Sequence, residues 1–197
     1  MKIITYFMLL VANLLLSPSI FASPEKLATA IFAGGCFWSM QHDFEKIPGV
    51  VKTTVGYTGG TVSNPTYQQV SSGTTGHYEA IQIIYDPNKI SYQQLLASYW
   101  HDTDPTDARG QFCDKGSEYR PVIFYLNSNQ KNMAEQSKTQ LIKTQQFTNV
   151  MTQILPAQSF YPAEEYHQNY ADKNPVAYQA YRLGCRRDNT LEQVWKH

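Results

Sequence analysis

The chain has 197 residues, 42% of them hydrophobic and 16% charged, which suits one folded domain and excludes a disordered chain. Sixteen basic residues balance 16 acidic ones. Arg186-Arg187 is the sole basic cluster, so composition argues against nucleic acid as a partner.

The N-terminus reads as an export signal. Lys2 precedes the apolar run Ile3–Leu16, and "SPSIFAS" supplies small, turn-prone residues after it. As a helix that run would reach roughly 21 Å, short of the ~30 Å of a bilayer core. Cleavage after Ala22 is expected, giving a signal peptide over residues 1–22 and a single domain over 23–197. The mature protein is then exported, periplasmic or secreted, with no stable membrane insertion. Three cysteines follow, Cys36, Cys113 and Cys185. An odd count leaves at least one thiol unpaired or transiently paired.

In chain order, "LATAIFAGG" predicts a short buried strand ending in glycines. Phe37, Met40, Phe44 and Ile47 recur at helical spacing until Pro48-Gly49 stops them. "VVKTTVGYTGG" predicts a strand, and "VSNPTYQQVSSGTTG" a loop. "HYEAIQIIYDP" alternates as a strand, and "SYQQLLASYW" predicts a short helix. Residues 101–120 form a long polar stretch of the kind that carries function. "PVIFYL" predicts a strand, "NSNQKNMAEQSKTQLIKTQQ" an exposed helix capped by Asn127 or Ser128, and "VMTQILPA" a last strand. "PAEEYHQNYADKNPVAYQAYR" reads as helical until "NP". This order predicts an α+β fold: a two-layer sandwich with a ferredoxin-like split β-α-β core and an irregular, loop-rich C-terminal tail.

Cys36 invites a chemical reading. Gly34-Gly35 permit a sharp turn at a strand end, and the sulfur then faces the unpaired N–H groups of a helix N-terminus. Such placement lowers a thiol pKa from ~8.5 into the range of about 3.5–7.5. A buried, inert cysteine is the alternative. A cysteine hydrolase would pair Cys36 with His77 or His167. No CxxC or HxxxH pair suggests a metal site. An exported binding domain with a structural Cys113–Cys185 bridge is a third reading.

The blocks "GCFWS", "GYTGG", "NPTYQQV", "GHYEAIQIIYDP", "HDTDPT", "QFCDKGSEYRPVIFY" and "EEYHQNYADKNP" together resemble, in order, the A-type peptide methionine sulfoxide reductases, over roughly residues 28 to 195. The resemblance implies reduction of methionine-S-sulfoxide, protein-bound or free, in the repair of oxidised proteins. It implies that Cys36 attacks the sulfoxide sulfur and that Glu79 donates a proton, which requires a raised carboxyl pKa. On strand pattern alone Glu79 would be an exposed position. Tyr67 and Tyr119 match the tyrosines that bond the sulfoxide oxygen, and Asp114 matches an active-site aspartate. Phe37 and Trp38 match the pocket for the substrate methyl group. A Cys36 sulfenic acid would be resolved by Cys185, with Cys113 the other candidate, and a Cys113–Cys185 bridge or a relay through both is also open. A thioredoxin-like protein or another dithiol would then restore the enzyme, a monomer with no bound cofactor or metal. The chain departs from the family pattern at Ser39, Tyr78, Cys113 and Arg186, the last where glycine is expected.

Overall fold

A computed structural model describes residues 26–147 and 149–196; the expected signal peptide lies outside the described residues. In chain order the elements are β1 (Ala28–Ala33), α1 (Phe37–Phe44), β2 (Val50–Thr58), α2 (Tyr67–Ser71), β3 (Tyr78–Tyr85), α3 (Tyr92–His101), β4 (Gly110–Gln111), β5 (Asp114–Lys115), β6 (Val122–Tyr125), α4 (Ser128–Lys143), β7 (Gln153–Pro156), β8 (Tyr161–Pro162), α5 (Tyr170–Lys173), α6 (Pro175–Gly184) and α7 (Arg187–Val194). The main sheet runs β7-β6-β1-β3-β2-β8. Neighbours pair antiparallel except β6 with β7. Its central β6-β1-β3-β2 order, with α1 and α3 as crossovers, is the expected split β-α-β core.

Strand alternation sorts the sheet's two faces. Phe32, Ile81, Ile83 and Tyr85 point to one face and pack with Met40 and Phe44 of α1 and Leu95, Leu96 and Tyr99 of α3. Ile31, Ala80, Val122 and Phe124 point the other way, against Leu155 and Phe160. The helix starts follow local chemistry. Ser91 and Gln94 form a reciprocal cap on α3, Thr66 and Gln69 do the same on α2, and Asn127 caps α4.

Four segments differ from the sequence reading. The expected loop after β2 contains α2, because Thr66 and Gln69 complete a capping box. The long polar stretch folds into a β4–β5 hairpin and a 3-10 turn over Ser117–Tyr119. "NP" ends α5, as expected, and also starts a second helix, α6. Proline fills the first position of α6, where a missing N–H costs nothing and its fixed φ suits the helix. Past β7 the tail is broken into short pieces, and two of them, β8 and α7, carry no clear pattern in the sequence. Arg182 and Arg187 dock this tail. Arg182 bonds Asp43 of α1 at 2.8 Å and Asp188 of α7 at 2.5 Å. Arg187, 2% exposed, meets Asp102 at the end of α3 at 2.9 Å.

Arg186 caps α7 with φ +55°, a left-handed conformation that strains an L side chain. That explains why glycine is the expected residue there. Arg186→Gly is expected to raise the melting temperature by about 2–4 °C, the change for roughly 1 kcal/mol in a chain of this size. Differential scanning calorimetry measures it.

Candidate active site

The corner between β1 and α1 sets the position of Cys36. Gly35 has φ +87°, and a Cβ on it would fall 2.7 Å from Gln111 Cβ, so the turn requires glycine. Cys36 follows as the N-cap of α1. It is a free thiol, 6% exposed.

The first helical N–H groups serve two side chains. Phe37 N–H donates to Glu79 Oε2 at 3.0 Å, and the Trp38 N–H points to the Cys36 sulfur. The sulfur therefore has the helix-end contact that the sequence suggested. It is nevertheless not an acidic thiol. Burial pushes its pKa well up, and the nearby Glu79 and Asp114 carboxyls add to the rise. Burial outweighs one backbone N–H and the partial charge of a two-turn helix. The expectation of a low resting pKa is thus corrected: Cys36 rests as a protonated thiol.

Glu79 lies in β3 opposite Tyr57 of β2 and is 3% exposed. It shares the inward parity of Ile81 and Ile83, so it is not a solvent-facing position. Its pKa is pushed up to about 8, first by burial and then by Asp114 and Glu118, with the Phe37 N–H opposing the rise. Below that pH it is a carboxylic acid able to donate a proton.

Tyr67 opens α2, and its backbone N–H donates to Glu164 Oε1 at 2.8 Å. The Tyr57 hydroxyl donates to the other oxygen of Glu164, also at 2.8 Å. Glu164 thus fastens α2 to β2. The 3-10 turn after β5 brings Tyr119 close to the Tyr67 hydroxyl. Both phenols are pushed up by burial and by Glu79, Tyr67 to about 12. They remain hydrogen-bond donors at any working pH.

Asp114 in β5 accepts a hydrogen bond from the Tyr181 hydroxyl at 2.5 Å. The same hydroxyl is in hydrogen-bonding reach of the Cys36 sulfur. Burial raises the Asp114 pKa, while Tyr181 and Arg187 work against it. Tyr181, on α6, is the residue of this cluster that sequence reasoning missed. Tyr181→Phe is expected to slow alkylation of Cys36 by iodoacetamide about 5- to 10-fold at pH 8, the worth of one hydrogen bond to the sulfur. A pH series of alkylation rates reads this directly.

Aromatic rings wall the thiol. Trp38 stacks on Tyr170 with centroids 3.8 Å apart and meets Tyr181 edge-on at 5.8 Å. Its indole N–H donates to His167 Nδ1 at 3.0 Å, which fixes the Trp38 plane and leaves the His167 proton on Nε2. Phe37 is 1% exposed and packs with Val55, Tyr57, Val70 and Ala163. His167 touches the rings of Phe37 and Tyr67, and its charged form is disfavoured by burial. It braces the aromatic wall and does not pair with Cys36. His77 bonds Gly60 N–H and Val62 C=O, so it holds a turn. Neither histidine supports the cysteine-hydrolase reading.

Cys113 and Cys185 form a disulfide that spans 72 positions of sequence, with Cα atoms 4.9 Å apart. The two candidate resolving thiols are therefore paired with each other in this state. Of the remaining departures from the family pattern, Ser39 is fully buried and bonds the Tyr178 hydroxyl at 3.4 Å. Tyr78 packs edge-on to Phe124. The Ser39 backbone N–H donates to the Cys36 carbonyl at 3.2 Å, within the first turn of α1.

Comparison with known proteins agrees with this geometry. The family model described as "Peptide methionine sulfoxide reductase" matches residues 28–197. "Peptide methionine sulfoxide reductase MsrA 2" of Caulobacter vibrioides is 54% identical over 170 residues, 86% of each chain. The corresponding MsrA of Limosilactobacillus reuteri is 52% identical over 173 residues, covering 87% of this chain and 98% of its own length. Among solved structures, reduced Mxr1 of Saccharomyces cerevisiae superposes with a TM-score of 0.73 at 32% identity, over 81% of this chain and 92% of Mxr1. Methionine sulfoxide reductase A of Corynebacterium diphtheriae gives 0.69 at 32% identity, over 78% and 77%. A free thiol beside a buried, protonatable carboxyl, inside a fold and sequence shared with these enzymes, places this chain in the peptide methionine sulfoxide reductase family.

Proposed function

We propose that the chain reduces the S epimer of methionine sulfoxide, in proteins and as the free amino acid, with Cys36 as nucleophile and Glu79 as proton donor. The observation that carries this assignment is Glu79 itself: a carboxyl buried beside a free thiol, with a pKa pushed to about 8. A sulfoxide sulfur is a poor electrophile until its oxygen is protonated, and Glu79 holds the proton it needs. Tyr67 and Tyr119 donate hydrogen bonds to the same oxygen. Trp38, with Phe37 supporting it, receives the methyl group.

The thiol must shed its own proton as it attacks. Tyr181, in reach of the sulfur and bonded to Asp114, offers the path: thiol to phenol oxygen, phenol to carboxylate. The sulfur–oxygen bond of the substrate breaks and a new one forms at Cys36. The products are methionine and a Cys36 sulfenic acid, so the two electrons come from the thiol.

Condensation of the sulfenic acid with Cys185 or Cys113 expels water and leaves a disulfide. Passing that disulfide to the Cys113–Cys185 pair frees Cys36. An external dithiol then reduces the pair. Mxr1 of yeast is known in a complex with Trx2, and we assign a thioredoxin-like donor here. The signal-like N-terminus and the disulfide both support an exported, periplasmic or secreted location.

The test is a turnover assay on the two separated epimers with dithiothreitol as reductant. Consumption confined to the S epimer is expected. Equal consumption of both, or of the R epimer alone, overturns the assignment.

A further inference from the structure

Cys113, Cys185 and Asp114 converge on one point. Their two sulfurs and a carboxylate oxygen lie within 4.8 Å of one another. The Cys113 sulfur is 3.8 Å from Asp114 Oδ1, while Asp114 Oδ2 accepts the Tyr181 hydroxyl at 2.5 Å. That hydrogen bond holds the carboxylate by one oxygen and leaves Oδ1 beside the sulfur. Two thiolates and a carboxylate make a donor set suited to zinc, with one position left for water. The Tyr181 contact is the outer-shell support that such a carboxylate ligand needs. No short motif announces the set, because the cysteines stand 72 positions apart.

The ligands are carried on backbone that other contacts hold. Cys113 lies at the turn of the β4–β5 hairpin, whose strands pair Gly110 with Lys115 and Gln111 with Asp114. The Gln111 side chain accepts from the Asp104 N–H at 2.8 Å and donates to the Asp104 carbonyl at 2.9 Å. Phe112, next to Cys113, has its ring centroid 4.5 Å from the Arg187 guanidinium. Arg187 in turn lies two residues past Cys185. The Cys185 N–H donates to the Tyr181 carbonyl at 2.9 Å. Opening the bridge therefore leaves two thiols close together beside Asp114. A cavity of about 410 Å³ is lined by both cysteines and gives an ion its entry path. Lys115 and Arg186 also line it, and they offset the excess negative charge of three anionic ligands around a divalent ion.

We propose that the reduced Cys113–Cys185 pair, together with Asp114, binds one zinc ion, and that the bridged pair binds none. The proposal rests on the reading above only in taking the bridge to be reducible. An external dithiol supplies two electrons and two protons to the bridge. Zinc then displaces both thiol protons to solvent. Two zinc–sulfur bonds and one zinc–oxygen bond form, and no electron moves. Because protons leave, affinity rises with pH. A loaded pair offers no free thiol for disulfide exchange, so zinc stalls the recycling of the enzyme.

The test uses the native protein, reduced with a phosphine and freed of it by anaerobic gel filtration. It is titrated with Co²⁺, whose tetrahedral thiolate complexes are coloured. Thiolate-to-cobalt absorption that saturates at one ion per chain and is bleached by Zn²⁺ is expected. The bridged protein should give none. A reduced protein without these bands, or a bridged protein with them, overturns the proposal; this comparison needs no variant. Cys36→Ser should keep the bands, and their loss there would make Cys36 a ligand and overturn the assignment. Cys113→Ser, Cys185→Ser and Asp114→Asn, checked for folding by circular dichroism, should each weaken Zn²⁺ binding about tenfold or more in competition with a chromophoric chelator. Parent affinity in Asp114→Asn overturns the three-ligand site. Methionine release in one turnover is measured on the same metal-free preparation. Methionine without cobalt bands sinks the zinc site and spares the reductase reading, and cobalt bands without methionine do the reverse.

Discussion

Cys36→Ser is expected to fold like the parent chain and to release no measurable methionine from methionine-S-sulfoxide, a loss of at least about 10⁴-fold, as for other enzymes deprived of their nucleophile. The physical reason is specific to sulfur. The oxygen atom of the substrate must end on the attacking atom, and a serine hydroxyl has no accessible oxidised state to receive it. Folding survives because the exchange is nearly isosteric at a position 6% exposed. Single-turnover methionine release together with far-ultraviolet circular dichroism checks both halves. Residual turnover within tenfold of the parent would remove Cys36 from its role. Because the resting thiol is held protonated chiefly by burial, reagents without a matching shape are expected to alkylate it slowly at neutral pH.

Glu79→Gln is expected to lower turnover by about 10²–10⁴-fold, the usual contribution of a positioned general acid. Substrate affinity should be nearly unchanged, because glutamine retains an oxygen for the Phe37 N–H. The pH dependence is the sharper readout. In the proposed role the active form of Glu79 is the protonated one, so parent activity is expected to fall as pH rises through about 8, and that fall is expected to be absent from the residual activity of the variant. Stability moves in the same range. The folded pKa lies above that of the unfolded chain, so the folded state holds the extra proton between about pH 4.5 and 8. Stability therefore declines as pH rises across that window. The neutral glutamine escapes this penalty. Above pH 8 the variant is expected to be more stable by on the order of 4 kcal/mol, since each tenfold change in proton affinity is worth about 1.4 kcal/mol. Urea unfolding at pH 5 and pH 9 measures it. A variant less stable than the parent at both values would contradict the buried acid.

Much of the fold was legible because its signals are local. Alternation in "HYEAIQIIYDP" and the spacing of Phe37, Met40 and Phe44 report directly on β3 and α1. The same alternation carries a second signal. Glu79 has the parity of Ile81, Ile83 and Tyr85, so the exposure expected for it rests on its residue type, and its burial corrects that expectation. The tail was harder, since Asn174-Pro175 marks a break and a helix start equally well, and α7 begins in a left-handed residue that is not glycine. Tyr181 left a faint trace: Tyr178, Tyr181 and Cys185 recur at helical spacing once α6 is known to start at Pro175. The charge state of Cys36 could not be read at all. Its helix-end position is local, but its burial and its two carboxylate neighbours come from β3 and β5, distant in sequence. The pairing of Cys113 with Cys185 depends likewise on a hairpin and a helix meeting across 72 positions.

The arginine docking of the tail has a consequence for working life. On the proposed cycle, each turnover opens the covalent tie between the β4–β5 hairpin and the end of α6. A tail held by that tie alone would peel away whenever the enzyme was charged with electrons. Arg182 on Asp43 and Asp188, and Arg187 on Asp102, are moorings indifferent to oxidation state. They keep Tyr181 over Cys36 in the reduced enzyme, so the catalyst need not reassemble itself between one repaired methionine and the next.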